Sequence, residues 1–586
     1  MDTYPKNKAE VFNQLGGINS KASVYQNGLH EFRDLTNLNF FIPGALSKRP
    51  GSTLYINATL SGKITGLYEF QRLNGASYVI VAANTNIYTA SGGAFSVFNT
   101  GLTNNALFEF TTFVDRLFAA NGAQFFKYEG TNVTNFSLPP GYTASWGVSL
   151  AQVGGGLSGV FQVAYSYVND RGYIGPPSNG FSISCIGNTF GTITFWGMTS
   201  PTGYGISYIQ LWRSTPGGLD LYGVTQIPIG GSSFALDSGA ALGITLASYH
   251  LWFTAIPKYL EIYNNQLFLG GFSGSLSRVY WSEIGEPEGI LPTYFSEFRT
   301  NDGDRLMGLK AYNGALIAPK QFSFHRVVGD NPTNFSFEEV STEFGCLSNR
   351  SMLVFNNLFM CLDGYGQGIV EYNGANIGLV STKNVEDIFK RMNVDSAKDQ
   401  ACAVHYKDYN EVWFHIPIDG STLNNSIVVY DYNVLAWTKY EGVQATQFAS
   451  ARGTLSKKSI LYGSYSGALF SFNSSLYGDN GSAITCMIDG VFYAPLGNTT
   501  ENMFRRFWMN VNPVLGITQA INLSFKTNFQ GTTIGHTGVI YQTPYQSRLD
   551  FGLSARSIAA KAEHASASLP LRIDGIAWES RYQRSV

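Results

Sequence analysis

The sequence predicts an all-β chain: a β-propeller of roughly seven blades with an inserted fibronectin-like β-sandwich and a C-terminal β-sandwich. Three observations carry that prediction. The composition favours short strands and tight turns, one strand-turn unit recurs along the chain, and its rhythm changes in two regions.

Of 586 residues, 44% are apolar, 15% are aromatic and only 13% are charged, with 64 Gly, 34 Tyr and 42 Phe. The charged share is about half the globular norm. Aromatic residues suit a pleated, half-buried strand, and Gly supplies turn conformations. This length calls for more than one domain.

The recurring unit is clearest from Gly345 to Gly374. Apolar runs Met352–Phe355, Leu358–Leu362 and Ile369–Tyr372 are separated by Asn356-Asn357 and Asp363-Gly364. That is the pattern of an antiparallel meander, with the turn pairs expected to supply positive φ. Asp115-Arg116-Leu117-Phe118 and Asn265-Gln266-Leu267-Phe268 repeat the Asn357-Leu358-Phe359 phrase. Tyr128-Glu129-Gly130 and Tyr312-Asn313-Gly314 repeat the closing Tyr372-Asn373-Gly374. One such unit cannot bury both faces of its sheet, so several are expected to pack around an axis.

In chain order, residues 1–60 read as an extended arm with Pro-Gly turns at Pro43-Gly44 and Pro50-Gly51, expected to lie on other surfaces. Residues 61–140 hold the first blades. Pro139-Pro140-Gly141 and Gly154-Gly155-Gly156 break the rhythm, and longer alternating strands at Val163–Asn169 and Tyr208–Ser214 place the inserted sandwich at 141–256. The remaining blades occupy 257–480, interrupted by a short helix at Val385–Met392 with acid early and base late. Alternation at Phe504–Val511, Ile521–Phe525 and Leu571–Trp578 marks a separate β domain at 481–586.

Several function classes lose support. Net charge is -2, too little to hold DNA by counterion release. Cys185, Cys346, Cys361, Cys402 and Cys486 are scattered and odd in number, which argues against zinc or a disulfide scaffold and for a reducing cytosol. Met1–Lys6 shows no apolar signal core, and the apolar run Val79–Ala83 is too short to span a bilayer as a helix. His30, His250, His325, His405, His415, His536 and His564 fall in no metal spacing; His405 and His415 could share neighbouring strands, with a packed or surface role. Asn301-Asp302-Gly303-Asp304 lacks the further ligands of a calcium loop and reads as a β-turn. Glu283, Glu286 and Glu288 beside Trp281 could serve a sugar hydrolase, but a solvated turn is the simpler reading. No catalytic, cofactor-binding or metal-binding residue is assigned, and no enzyme activity is expected.

Ordered phrases also carry a resemblance. They are Gly16-Gly17-Ile18-Asn19, then Pro43-Gly44-Ala45-Leu46-Ser47-Lys48-Arg49-Pro50-Gly51, then Trp281-Ser282 with Gly285 and Pro287, then Arg505-Arg506 and finally Ile573-Asp574-Gly575-Ile576-Ala577-Trp578. Together they resemble the tail nozzle (tail tubular protein B-like) family of short-tailed bacteriophages. The resemblance implies a structural virion protein in the phage tail, assembled in the host cytoplasm. It implies a homohexameric ring below the tail adaptor ring protein that closes the DNA channel before infection and opens for genome ejection. Implied partners are tail fibre or spike proteins, the exiting viral DNA in transient contact, and a host surface receptor. Competing readings are a phage carbohydrate-binding or depolymerase propeller, and a soluble propeller with a single protein partner.

Overall fold

The structure is a computed structural model. It describes residues 8–23, 28, 30–141, 146–151, 156–185, 192–229, 234–237, 239–246, 251–300, 302–452, 458–497, 499–512, 520–530, 534–541 and 547–582. Met1–Lys6, Gly154, Gly155, His250 and Asn301 lie outside that set.

The recurring unit folds as a four-stranded antiparallel sheet. Such sheets span residues 64–99, 109–135, 259–297, 310–341, 353–379 and 402–441. A seventh comprises Ala445–Ala451, Ser459–Ser464 and Ala468–Asn473, with Gly51–Thr59 from the N-terminal arm as its outer strand. The first strands form the inner ring. Ile64–Gln71 lies between Ala445–Ala451 and Glu109–Phe113; Tyr259–Tyr263 follows, beside Lys310–Tyr312; Cys402–Tyr406 meets both Leu353–Phe355 and Ala445–Ala451. This is a seven-bladed propeller, and the arm strand closes it by completing the last blade.

The aromatic surplus sits mainly between blades. Phe70, Phe108, Phe110 and Phe126 fill the first interface, and Phe118, Phe136, Leu267 and Leu269 the second. Trp281, Phe268 and Val327 pack the third, and Phe324, Phe359 and Tyr372 the fourth. These blades bury their faces against their neighbours, which is why the unit has to recur.

The turn chemistry explains the repeated phrase. The first hairpins turn through two consecutive positive-φ residues: Val114-Asp115, Asn264-Asn265, Asn313-Gly314 and Asn356-Asn357. Arg116, Gln266 and Leu358 then begin or lie at the start of second strands. Two expectations need correction. Asp363-Gly364 is not the positive-φ pair: Asp363 accepts hydrogen bonds from the backbone of Tyr365 and Gln367, and the left-handed residue is Gly366. A Cβ on Gly364 would lie 1.6 Å from the Gln321 carbonyl oxygen, so that glycine permits two blades to approach. The closing phrase has two meanings. Tyr128 and Tyr372 end third strands and donate to Gly130 and Gly374 carbonyls at 2.8 and 2.9 Å, whereas Tyr312-Asn313-Gly314 forms a first hairpin.

Between the second and third blades lies a sandwich of two sheets. One contains Gly147–Ala151, Thr192–Trp196 and Phe234–Asp237; the other contains Phe181–Cys185, Gly159–Asn169, Ile206–Ser214 and Leu221–Pro228. Trp146, Phe161, Tyr165, Phe195 and Leu211 form its core. The connection from fifth to sixth blade holds the helix Glu386–Lys390 and a second helix, Val394–Gln400, which had no expectation; Asn393 caps it by accepting from Ser396 N at 3.3 Å.

The C-terminal strands make another two-sheet sandwich. Ser482–Gly490, Ile558–Ser566, Ala520–Thr527 and Ile534–Tyr541 form one side. Arg548–Ala555, Asn502–Val511 and Arg572–Tyr582 form the other, extended by arm strands Lys8–Phe12 and Leu46–Lys48. Phe32–Thr36 of the arm pairs with Ser482–Gly490 and touches Ala436–Glu441 of the sixth blade. The arm therefore lies on other surfaces, stitching sandwich to propeller.

Candidate functional site

The inner strands bring charged side chains to the propeller axis. Glu109, Glu261 and Lys310 come from the first strands of the second, third and fourth blades, and Arg350 from the 3-10 turn Asn349–Ser351 entering the fifth. Lys310 Nζ lies 3.6 Å from Glu261, and Arg350 Nε lies 3.8 Å from Glu109. Arg350 is nearly buried and also donates to the carbonyls of Thr65 and Phe108, in the first blade and just before the second. It therefore reaches across the axis from the fifth blade. Burial raises the Glu109 pKa, opposed by Arg350. The Lys310 pKa is raised chiefly by Glu261. The cavity at this end of the axis, lined by Glu109, Lys258, Arg350 and Asp399, is about 20 Å³, room for a single water. Each carboxylate thus has a cationic partner, and no sugar ring fits between them. This charged group left no mark in the sequence, because its members are isolated residues on four separate strands or turns.

Glu283, Glu286 and Glu288 are not alike. Glu283 and Glu286 are half-buried and joined by a β-bridge. Glu288 is only 2% exposed, which overturns its reading as part of a solvated turn. Its Oε1 accepts from Arg116 at 3.0 Å and its Oε2 from Lys127 at 2.6 Å, and both cations are themselves buried. Arg116 also bonds Asp170, beside Asn169 of the inserted sandwich, whose amide reaches Glu288 at 3.4 Å. The carboxylate therefore joins second blade, third blade and insertion. With both oxygens held by cations, it is poorly placed to attack or protonate a glycosidic bond.

The arm phrases singled out in the sequence also lie at joints. A Cβ on Gly17 would meet Trp437 N at 2.6 Å, and one on Gly51 would meet Gly478 O at 2.3 Å. Lys48 Nζ donates to Ser566 O at 2.5 Å. Arg49, 1% exposed, bonds Asn37 Oδ1, Glu441 O and Asp479, linking arm, sixth blade and the hairpin before the C-terminal sandwich. Arg506 pairs with Asp550 and Glu579 across three sandwich strands.

His405 and His415 do lie on neighbouring strands, but Cys402 faces His415 and Val412 faces His405 in the register, so the two rings do not meet. His405 bonds Tyr432 Oη at 3.1 Å. His415 is fully buried, and burial lowers its pKa to about 3. Asp302 pairs with Lys320 at 2.6 Å, while Asp304 accepts from Phe322 N and Ser323 Oγ. All five cysteines are buried free thiols. Among the described residues, no group of three or more His, Cys, Asp or Glu is placed to hold a metal ion, and no helix is long and apolar enough to cross a membrane.

No protein-family model and no curated protein matches the chain. Solved structures resemble it only distantly. The structure of BBS1N in complex with ARL6DN aligns over 72% of this chain and 97% of its own, at 10% identity and a TM-score of 0.28. Exo-beta-1,3-galactanase from Phanerochaete chrysosporium with galactose covers 90% of this chain and 100% of its own, at 7% identity and a TM-score of 0.20. The N-terminal domain of Nup159 covers 74% and 99%, at 7% identity and a TM-score of 0.19. At these scores none carries a functional argument.

Proposed function

We propose that the chain is a structural virion protein, without enzyme activity, that forms the distal nozzle of a short phage tail. The observation that carries the reading is the ordered set of phrases at 16–51, 281–287 and 505–578. The arm phrases lie at joints between arm, propeller and sandwich, which suits a load-transmitting part. Low net charge fits a surface that polyanionic DNA passes without retention. Arg350 spans the propeller's own axis, so the DNA channel in this reading runs between copies. A homohexamer closes such a channel by head-to-tail contacts related by rotation. Its partners are the tail adaptor ring protein, tail fibre or spike proteins, the leaving DNA and a host surface receptor. Electron microscopy of the purified chain and of virions tests this: sixfold rings at the tail tip are expected. A chain that stays monomeric and is missing from the tail tip overturns the reading.

A further inference from the structure

Where the inserted sandwich rejoins the propeller, the chain encloses a cleft of about 430 Å³. Its floor is aromatic. Phe125 and Phe136 stack with centroids 4.0 Å apart, and Phe253 meets Phe136 edge-on at 6.1 Å. Tyr204 of the insertion and Trp252 of the returning segment complete the lining, and Trp252 is 41% exposed despite its size.

The walls are pinned by the backbone. Asn135 N donates to Gly203 O at 2.7 Å, fixing the insertion loop against the outer strand of the second blade. Phe253 N donates to Ser137 Oγ at 3.0 Å, and Gly122 N to Pro257 O at 3.0 Å, fixing the returning segment. The cleft is thus formed before any ligand arrives, which spares the ordering cost of binding.

Its polar groups are three amides, two hydroxyls and an indole N–H, on Asn99, Gln124, Asn135, Thr254, Tyr204 and Trp252. Gln124 Oε1 accepts from Thr103 N at 3.1 Å and Asn121 Nδ2 at 2.8 Å. Its Nε2 hydrogens have no partner among the described residues. Among the described residues, no Lys, Arg, His, Asp or Glu lines the cleft.

We propose that this cleft binds a neutral oligosaccharide. A sugar ring offers an apolar C–H face to a flat aromatic side chain and hydroxyls to planar amides. Both surfaces are present here, on Trp252 and Tyr204 and on the three amides. A phosphate or an acidic sugar would bring a charge into a lining without a cation, which is costly. The volume suits about two sugar rings. The proposal rests on the cleft alone and is independent of the nozzle reading.

The test uses the full chain and saturation-transfer NMR. The probes are neutral trisaccharides of glucose, mannose, galactose, rhamnose and N-acetylglucosamine, with sialyllactose as the charged control. Transfer to ring C–H protons of at least one neutral probe is expected. Trp252→Ala is expected to weaken that binding roughly 10-fold, as loss of an aromatic anchor does. Asn135→Ala, at an exposed position, is expected to weaken it several-fold. Sialyllactose is expected to bind more weakly than the neutral probe. Absence of transfer from every neutral probe at ~10 mM overturns the proposal. So does binding unchanged in both variants, or displacement of all sugars by an uncharged proline-rich peptide that the cleft prefers.

Discussion

Glu411 shows how a single side chain reports on the propeller core. It is fully buried between the sixth and seventh blades, accepting from Trp413 Nε1 at 2.7 Å and Tyr440 Oη at 2.9 Å. Burial pushes its pKa from 4.5 up to about 8. The native state therefore binds this proton more tightly than the unfolded chain does. The associated stability is fully present below pH 4.5 and is lost as pH rises toward 8. His415 acts with the opposite sign: its stability is lost as pH falls from 6.5 toward 3. The interval above pH 6.5 thus separates the two groups. Glu411→Gln keeps an oxygen to accept from Trp413 and places an amide N–H against Tyr440 Oη, while removing the titration. Its melting temperature is expected to fall less than the parent's between pH 6.5 and 8, measured by calorimetry. Parallel pH profiles would contradict the buried acid. Nothing in Glu411-Val412-Trp413 distinguishes this carboxylate from a surface one, because its burial depends on the neighbouring blade.

The element scale is governed by the joint around Glu288. Arg116, Lys127 and Glu288 are all 2% exposed or less, so each charge depends on the others. Glu288→Gln leaves buried cations less compensated and is expected to cost about 3 kcal/mol in denaturant unfolding. The insertion, residues 141–256, is expected to become the first segment cut in limited proteolysis. An unchanged midpoint and cleavage pattern would show that the joint is dispensable. One first hairpin was legible: Asn356-Asn357 announces its left-handed turn through its side chains. Asp363-Gly364 misled, because the same residue pair also serves a close backbone approach and an aspartate-capped loop. The short helix was visible in its charge order, whereas Val394–Gln400 carries only Val394 and Ala397 as apolar residues, too few to show a helical spacing.

At the scale of the whole molecule, closure of the propeller depends on strand Gly51–Thr59. Deleting residues 1–59 leaves Ala468–Asn473 as an open edge and removes the Arg49 staple. Such a chain is expected to melt at a lower temperature and to aggregate through that edge. Melting and sedimentation indistinguishable from the intact protein would contradict this closure. The sixfold ring is the corresponding expectation for assembly, and a gate between copies would draw on loops rather than on the packed blades.

Alternation and turn residues act within a few positions, so the sequence by itself determined that this chain is all-β, that its meanders recur, and where their rhythm is interrupted. Tertiary structure alone decided which strand closes the last blade, which carboxylate is buried, and what crosses the axis. Glu288 lies 172 residues from Arg116, and Arg350 lies 285 residues from Thr65. Pairings over such distances are selected by the packing of whole blades, and no local pattern of side chains encodes them.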